Sequence, residues 1–342
     1  MDTQANHILT APQKTDAPSP DKGTTCQSCL TLSISILLIP PRLAAFSTLA
    51  YIRHTTMTTC PAPAMVTTPT LSMAEQLHDL LLEKQHTEKW QWLCTELLRE
   101  EPQPSEQVST LRNRIHTWRV ADRPFYLTVA NTLSYCFDNQ GRLPDYLLSN
   151  PVSLLNITNM DRIQEIQGQL HHIQPEKDSL SKFLFEFLSP ADWRILLHLR
   201  TTAGGSDLEK MPPSLQECIQ SFIRVYEKKN AKPRRHGQPY MLSVGAKALS
   251  KHWHRDRQAQ FWGICTGTES EKNRHAEDVM IKILNDAVWM NIHGLPHDEM
   301  VYEVRQHQGY GLRWKLQDGE EWKFRGFLEP QMQDGHSIGW IH

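Results

Sequence analysis

Between Gly309 and His342 the chain reads GYGLRWKLQDGEEWKFRGFLEPQMQDGHSIGWIH. Trp314, Trp322, Phe324, Phe327 and Trp340 are large side chains that leave water only inside a folded layer, although chain ends fray by default. This segment therefore has to be structured, and its punctuation says how. Leu312 to Leu316 and Trp322 to Leu328 read as two strands of a hairpin about Asp318-Gly319. Upstream, Met300 to Gln306 sets Val301, Glu303 and Arg305 against Tyr302 and Val304, the period of a third strand. Before it, Glu271 to about Trp289 places Ala276, Val279, Met280, Ile283, Leu284, Ala287 and Val288 on one helical face. Trp289 to His293 either prolongs that helix or opens a strand. A helix followed by strands predicts the α+β class: residues 240–342 as an antiparallel sheet packed on a helix.

The preceding sequence has a different character. From 72 to 201 the apolar residues recur at helical spacing, which predicts an all-helical domain. Ser72 to Glu75 has the form of a capping box, and Leu77, Leu80, Leu81, Trp90, Leu93, Leu97 and Leu98 follow as one helix ended by Pro102 and Pro104. Further helices are expected over 105–118, 124–137, 161–172 and 176–188, with Ser189-Pro190-Ala191-Asp192 starting another. Residues 202–239 read as a linker holding one helix from Ser214 and a basic stretch. Residues 1–71 are rich in Thr, Pro and Ser and poor in charge, which predicts a disordered leader. Its apolar run from Leu30 to Ile39 is too short and too broken by proline to span a membrane. A mitochondrial presequence is the competing reading of the leader, and Met57, Met65 or Met73 is an alternative start.

The segments AKALSKHWHRDRQAQFWG, GTESEKNRHAEDV, VYEVR, GYGLRW and FRGFLEPQMQDGHSIGW-H resemble an uncharacterised family of fungal and plant proteins. The pattern is Gly-Tyr-Gly-x-Arg-Trp, then Phe-x-Gly-Phe-Leu-Glu-Pro, then Asp-Gly-His-x-x-Gly-Trp-x-His. The resemblance implies that about Ala246 to His342 is one domain. It assigns no activity and no catalytic residue.

A net charge of -2 supplies no global field for a polyanion, so the local distribution decides. Arg224 to Arg257 holds ten Lys or Arg against Glu227 and Asp256, with Tyr240 and Trp253 interleaved. Such a stripe suits a phosphate backbone. The candidate anion-binding residues are Arg234, Arg235, Lys251, His252, His254, Arg255, Lys272, Arg274, Arg305 and Arg313. His252-Trp253-His254 would put both imidazoles on one face of a strand. Lys272 and Arg274 follow Thr268, where a helix start could hold an anion, although Glu269 and Glu271 make ordinary capping the simpler account. Glu329, Asp334 and His336 are the candidate acid/base residues, and His342 is a further polar residue that the fold does not obviously need. Glu303 opposite Arg313 reads equally as a cross-strand ion pair. No zinc-type ligand spacing and no phosphate loop occur, so neither metal nor cofactor is expected. Seven scattered cysteines argue for reduced thiols in a cytoplasmic or nuclear compartment.

Together these features favour a non-catalytic binding or scaffold protein whose C-terminal domain engages nucleic acid or another polyanion, with no membrane partner. The alternative is an enzyme using Asp334, His336 and Glu329 on an anionic substrate held by Arg305 or Arg313. A third reading makes the helical domain an adaptor for a protein partner.

Overall fold

The computed structural model describes residues 71–150, 152, 159–202, 210–227, 241–255, 260–296, 299–318 and 321–331. All belong to one compact unit, Pro61–His342. The leader, Arg234, Arg235, Asp334, His336, Trp340 and His342 lie outside the described residues.

Helices lead the chain: α1 (Leu71–Lys84), α2 (Gln91–Leu98), α3 (Glu106–Arg112), α4 (Phe125–Asp138), α5 (Asp145–Leu148), α6 (Met160–Leu170), α7 (Lys177–Lys182) and α8 (Trp193–Leu196). α1 is already under way at Leu71, so Ser72 does not stand at its N-cap. The single helix expected through Leu98 breaks between α1 and α2. Residues 83–89 carry no apolar side chain to hold a helix on the core. The turn there swings Trp90 edge-on against Phe185, with ring centroids 5.3 Å apart. The helix expected to Leu188 changes pitch instead of continuing, with a π turn at Phe183–Phe187 burying Phe183, Leu184 and Phe185. Ser189 and Asp192 form the reciprocal cap that the sequence suggests.

β1 (Leu199–Arg200) follows, a two-residue strand inside the segment expected to be wholly helical. Then come α9 (Leu215–Ile223), α10 (Val244–His252) and α11 (Glu269–Asn285), and the strands β2 (Ala287–Leu295), β3 (Glu299–Gln306), β4 (Gly311–Gln317) and β5 (Glu321–Leu328). The five strands form one sheet in the order β1-β2-β3-β4-β5. β2 to β5 are an antiparallel meander, and β1 joins β2 in parallel. The fold is α+β with a mixed sheet.

α11 is shorter than the helix expected to Trp289: it ends at Asn285, and Ala287, Val288 and Trp289 belong to β2. Thr268 accepts from the Glu271 amide while the Glu271 carboxylate returns to the Thr268 N–H, so the helix start is capped from within. Its buried stripe of Ala276, Val279, Met280, Ile283 and Leu284 lies in the core. The sheet brings Met290, Ile292, Tyr302, Val304, Leu312, Trp314, Phe324 and Phe327 to the same core, on one face by strand register. Buried side chains from Met73 to Phe327 make one continuous cluster. The Trp314 indole donates to the Cys218 carbonyl at 3.2 Å, fixing α9 to the sheet.

His252-Trp253-His254 is not a strand. Ser243 caps α10 by accepting from the Ala246 amide, and the helix runs to His252 before the chain turns. The two imidazoles part company: His252 is half-buried and His254 is exposed.

His198 hands the chain from α8 to β1. It sits at φ +64° with no exposed surface. Its Nδ1 faces the Arg119 carbonyl at 3.0 Å and therefore donates, leaving Nε2 as acceptor 2.8 Å from the Thr132 hydroxyl. Burial outweighs the Arg119 carbonyl bond and lowers its pKa from 6.5 to about 4. The unfolded chain takes up a proton at the ordinary value and the folded chain only near pH 4. The neutral imidazole's contribution is thus complete above about pH 6.5 and is lost as pH falls towards 4. This group should lower the unfolding free energy by about 3 kcal/mol over that interval. Urea unfolding at a series of pH values checks it, and the His198→Gln protein should lack that component.

Candidate functional site

The sheet face opposite the core is polar, and its register builds a row across the strands. Arg200 pairs with Asn291, Asn291 with Glu303, Glu303 with Arg313, and Arg313 with Gly326. Arg305 stands on the same face, flanked by Trp289 and Gly311 on its neighbouring strands. Arg200, Asn291, Glu303 and Arg305 are all buried. Strand alternation explains why Glu303 and Arg305 share a face. What is unusual is that this face keeps charge where a sheet ordinarily keeps a second apolar layer.

Glu303 is the hub. Its Oε1 takes the Arg313 Nε at 2.7 Å and lies 3.2 Å from His293 Nε2, while Oε2 receives Arg305 through Nε and Nη2, each at 3.1 Å. Burial pushes the carboxyl up. The His293 hydrogen bond and the Arg305 and Arg313 guanidiniums outweigh that together, and Glu303 is held well below the usual carboxylate range. The Arg305 Nη1 also donates to the carbonyls of Gly309 and Glu329, at 2.7 and 3.1 Å. A Cβ at Gly311 would collide with the Val304 carbonyl oxygen and stand 2.8 Å from Arg305 Cγ, so glycine is required beneath that guanidinium.

A second polar pair lies at the rim. His252, at the end of α10, donates or accepts through Nδ1 at 2.7 Å from Oε1 of Glu329, just past β5. With the imidazole Nδ1–H donating to the carboxylate, Nε2 carries the free lone pair. That Nε2 would lie 4.0 Å from a Cβ placed on Gly326, the register partner of Arg313. The His252 ring also packs against Phe327 and Trp262, with centroids 6.2 and 6.4 Å away, so it stands on the core side of the sheet, across β5 from the guanidinium row. The side chains of His252, His293 and Arg313 are 14%, 18% and 25% exposed, enough to meet a ligand at this edge.

The cluster thus gathers Arg305, Arg313, His252 and Glu329 from the predicted candidates. Lys251, His254, Arg255 and Arg274 are exposed, Lys272 is half-buried, and none of them is ion-paired to the cluster. Arg234, Arg235, Asp334 and His336 lie outside the described residues. The proposed cross-strand pair of Glu303 and Arg313 is present. Sequence reading missed Arg200 and Asn291, and left open whether His293 ends a helix or stands on a strand; it stands on β2. The signal available was parity: with Glu303 and Arg305 on one face, Asn291 and His293 follow once β2 is read as a strand. Nothing local announces Arg200, whose three guanidinium nitrogens are buried without a hydrogen-bond partner.

Other chemistries find less support. Cys94, Cys136, Cys218 and Cys265 are free and buried, and burial pushes the Cys94 and Cys136 thiols up to about 12, the reverse of a reactive thiolate. Among the described residues no group of His, Cys, Asp or Glu is arranged to hold a metal ion, and no helix is long and apolar enough to cross a membrane.

A family model for the CdiA C-terminal tRNase toxin domain matches residues 233–329, less than a third of the chain. The matched span takes in α10, α11, all of β2 to β5, the hub and Glu329, and stops before Asp334 and His336. No curated protein and no solved structure matches this chain.

Removing the hub's charge strands two buried or half-buried guanidiniums. Glu303→Gln should lower stability by about 3–5 kcal/mol at pH 7, measured by chemical denaturation. A carboxyl held below its usual range contributes fully above the unfolded value of about 4.3, and the contribution is lost as pH falls through the folded value. The gap between wild type and variant should therefore narrow below about pH 4.

Proposed function

We propose that the C-terminal sheet cleaves RNA, with a phosphodiester bound where the Arg313 edge of the polar face meets the His252–Glu329 pair. The observation that carries the reading is the composition of that edge. One hub carboxylate is shared by Arg305, Arg313 and His293, so cationic groups outnumber it, and Arg305 ties the hub to the residue that orients His252. An anion with protons to move is the ligand such an edge suits. The match of residues 233–329 to a tRNase toxin domain supports nucleic acid as the substrate and favours catalysis over binding without chemistry. tRNA is accordingly the first RNA to test.

The chemistry follows from the groups present. His252 Nε2 takes the proton of a ribose 2′-hydroxyl, whose oxygen bonds to the neighbouring phosphorus. The bond from phosphorus to the 5′ oxygen breaks, and that oxygen receives a proton from water. The ring nitrogens of His293 face the Glu303 carboxylate and the Gly294 carbonyl. Arg313 meets the charge that builds on the phosphoryl oxygens. The products are a 2′,3′-cyclic phosphate and a 5′-hydroxyl. Exposed Arg224, Lys251 and Arg255 extend positive charge beyond the reacting group and suit the flanking backbone.

Incubation of the full-length protein with tRNA should yield fragments ending in cyclic phosphate. His252→Ala and Arg313→Ala should each slow cleavage by about a hundredfold or more while circular dichroism shows an unchanged fold. Tight, salt-sensitive tRNA binding without fragments would restore the binding-only reading. Neither binding nor cleavage would remove both.

A further inference from the structure

The seam between α2, the segment at 210–212 and the β4–β5 hairpin holds a cavity of about 290 Å³. It lies on the core side of the hairpin, where Leu316 and Trp322 point, and not on the polar face. Its walls combine two indoles with cations: Trp92 and Trp322, Arg99, Arg123 and Lys210. Trp92 is 46% exposed, a conspicuous position for the costliest apolar side chain to leave in water. Trp322 is buried and forms a fixed wall.

The acids at this seam are already engaged. Glu96 is bonded to Arg99 at 3.2 Å and Arg123 at 3.1 Å, and Glu217 caps α9 by accepting from the Ser214 amide at 2.8 Å. Lys210 is exposed and has no ion pair among the described residues. Arg123 is more than nine-tenths buried, with both terminal nitrogens committed to Glu96 while its Nε–H has no acceptor. That nitrogen has no surface open to the cavity, so the groups left to meet a ligand are Trp92, Arg99 and Lys210.

We infer that this seam is a nucleotide subsite, in which one unstacked base lies on Trp92 and its phosphate meets Lys210. Aromatic faces with nearby cations are how proteins hold single bases without reading their sequence. The inference rests on the reading of the substrate as RNA, but the seam is separate from the cleaving edge and is tested by itself.

The experiment is calorimetric titration of adenosine 5′-monophosphate into the full-length protein, its Trp92→Ala and Lys210→Ala variants, and His252→Ala. Trp92 and Lys210 are exposed, so both variants should fold. Saturable binding is expected in wild type, weakened about five- to a hundredfold by Trp92→Ala, measurably weakened by Lys210→Ala and unaltered by His252→Ala. No binding to wild type, equal binding to Trp92→Ala, or inorganic phosphate binding as tightly as the nucleotide would overturn the subsite. Nucleotide binding of the expected kind in a protein that cleaves no RNA would sink the cleavage reading and leave the subsite standing. Cleavage without Trp92-dependent nucleotide binding would do the reverse.

Discussion

A carboxylate with almost no contact with water, holding two guanidiniums and an imidazole from three strands, is the constraint on which this sheet depends. Glu303 can meet Arg313 only in the observed register. A slip of one residue would turn the hub into the apolar core and Tyr302 or Val304 out of it. Arg305 extends the constraint along the chain by bonding the carbonyls of Gly309 and Glu329, so the turn after β3 and the end of β5 are tied to one side chain. Burying such a cluster is not an efficient route to stability, since apolar residues of similar volume often do as well or better. Its presence is more economically explained by what it can bind than by what it holds together.

The two faces of the sheet divide the labour. The core face carries Trp314, Phe324, Phe327 and Tyr302, which bury against helices from both halves of the unit. Rigid packing on that side lets the other side keep polar groups at fixed spacing, because strands that cannot shift cannot misplace Arg313 or His293. Gly311 and Gly326 show the same logic on the polar side. One lets Arg305 lie close to the backbone, and at the other a Cβ would stand 4.0 Å from His252 Nε2.

Much of this was legible in the sequence because the signals were local. Alternation pointed to β3, turn chemistry to the β4–β5 hairpin, and the apolar stripe from Ala276 to Leu284 to α11. Glu303 and Arg313 could be paired because hairpin geometry sets two adjacent strands in register. Legibility failed where the deciding contact was distant. Two residues carry no period, so Leu199 and Arg200 could not be seen as a strand; their partners Met290 and Asn291 lie some ninety positions later. His252 was placed on a strand because an alternating triplet looks the same at a helix end. Its pairing with Glu329 depends on α10 lying beside β5. The break between α1 and α2 was likewise a tertiary decision, made by the place that Trp90 finds against Phe185.

The parallel pairing of β1 with β2 has a consequence for how the chain reaches its native state. The meander from β2 to β5 closes through short turns, whereas its outer edge is completed by a strand borrowed from the helical half. Contacts of such sequence separation form late, because a long loop must be closed first. Until they form, β2 presents unpaired amides and carbonyls along a strand containing Val288, Trp289, Met290 and Ile292, which is the kind of edge that recruits other chains. The helical half therefore acts as a tethered cover for the sheet it adjoins. A span cut to residues 233–329 would hold every strand of the meander and the whole hub, yet would leave that edge bare.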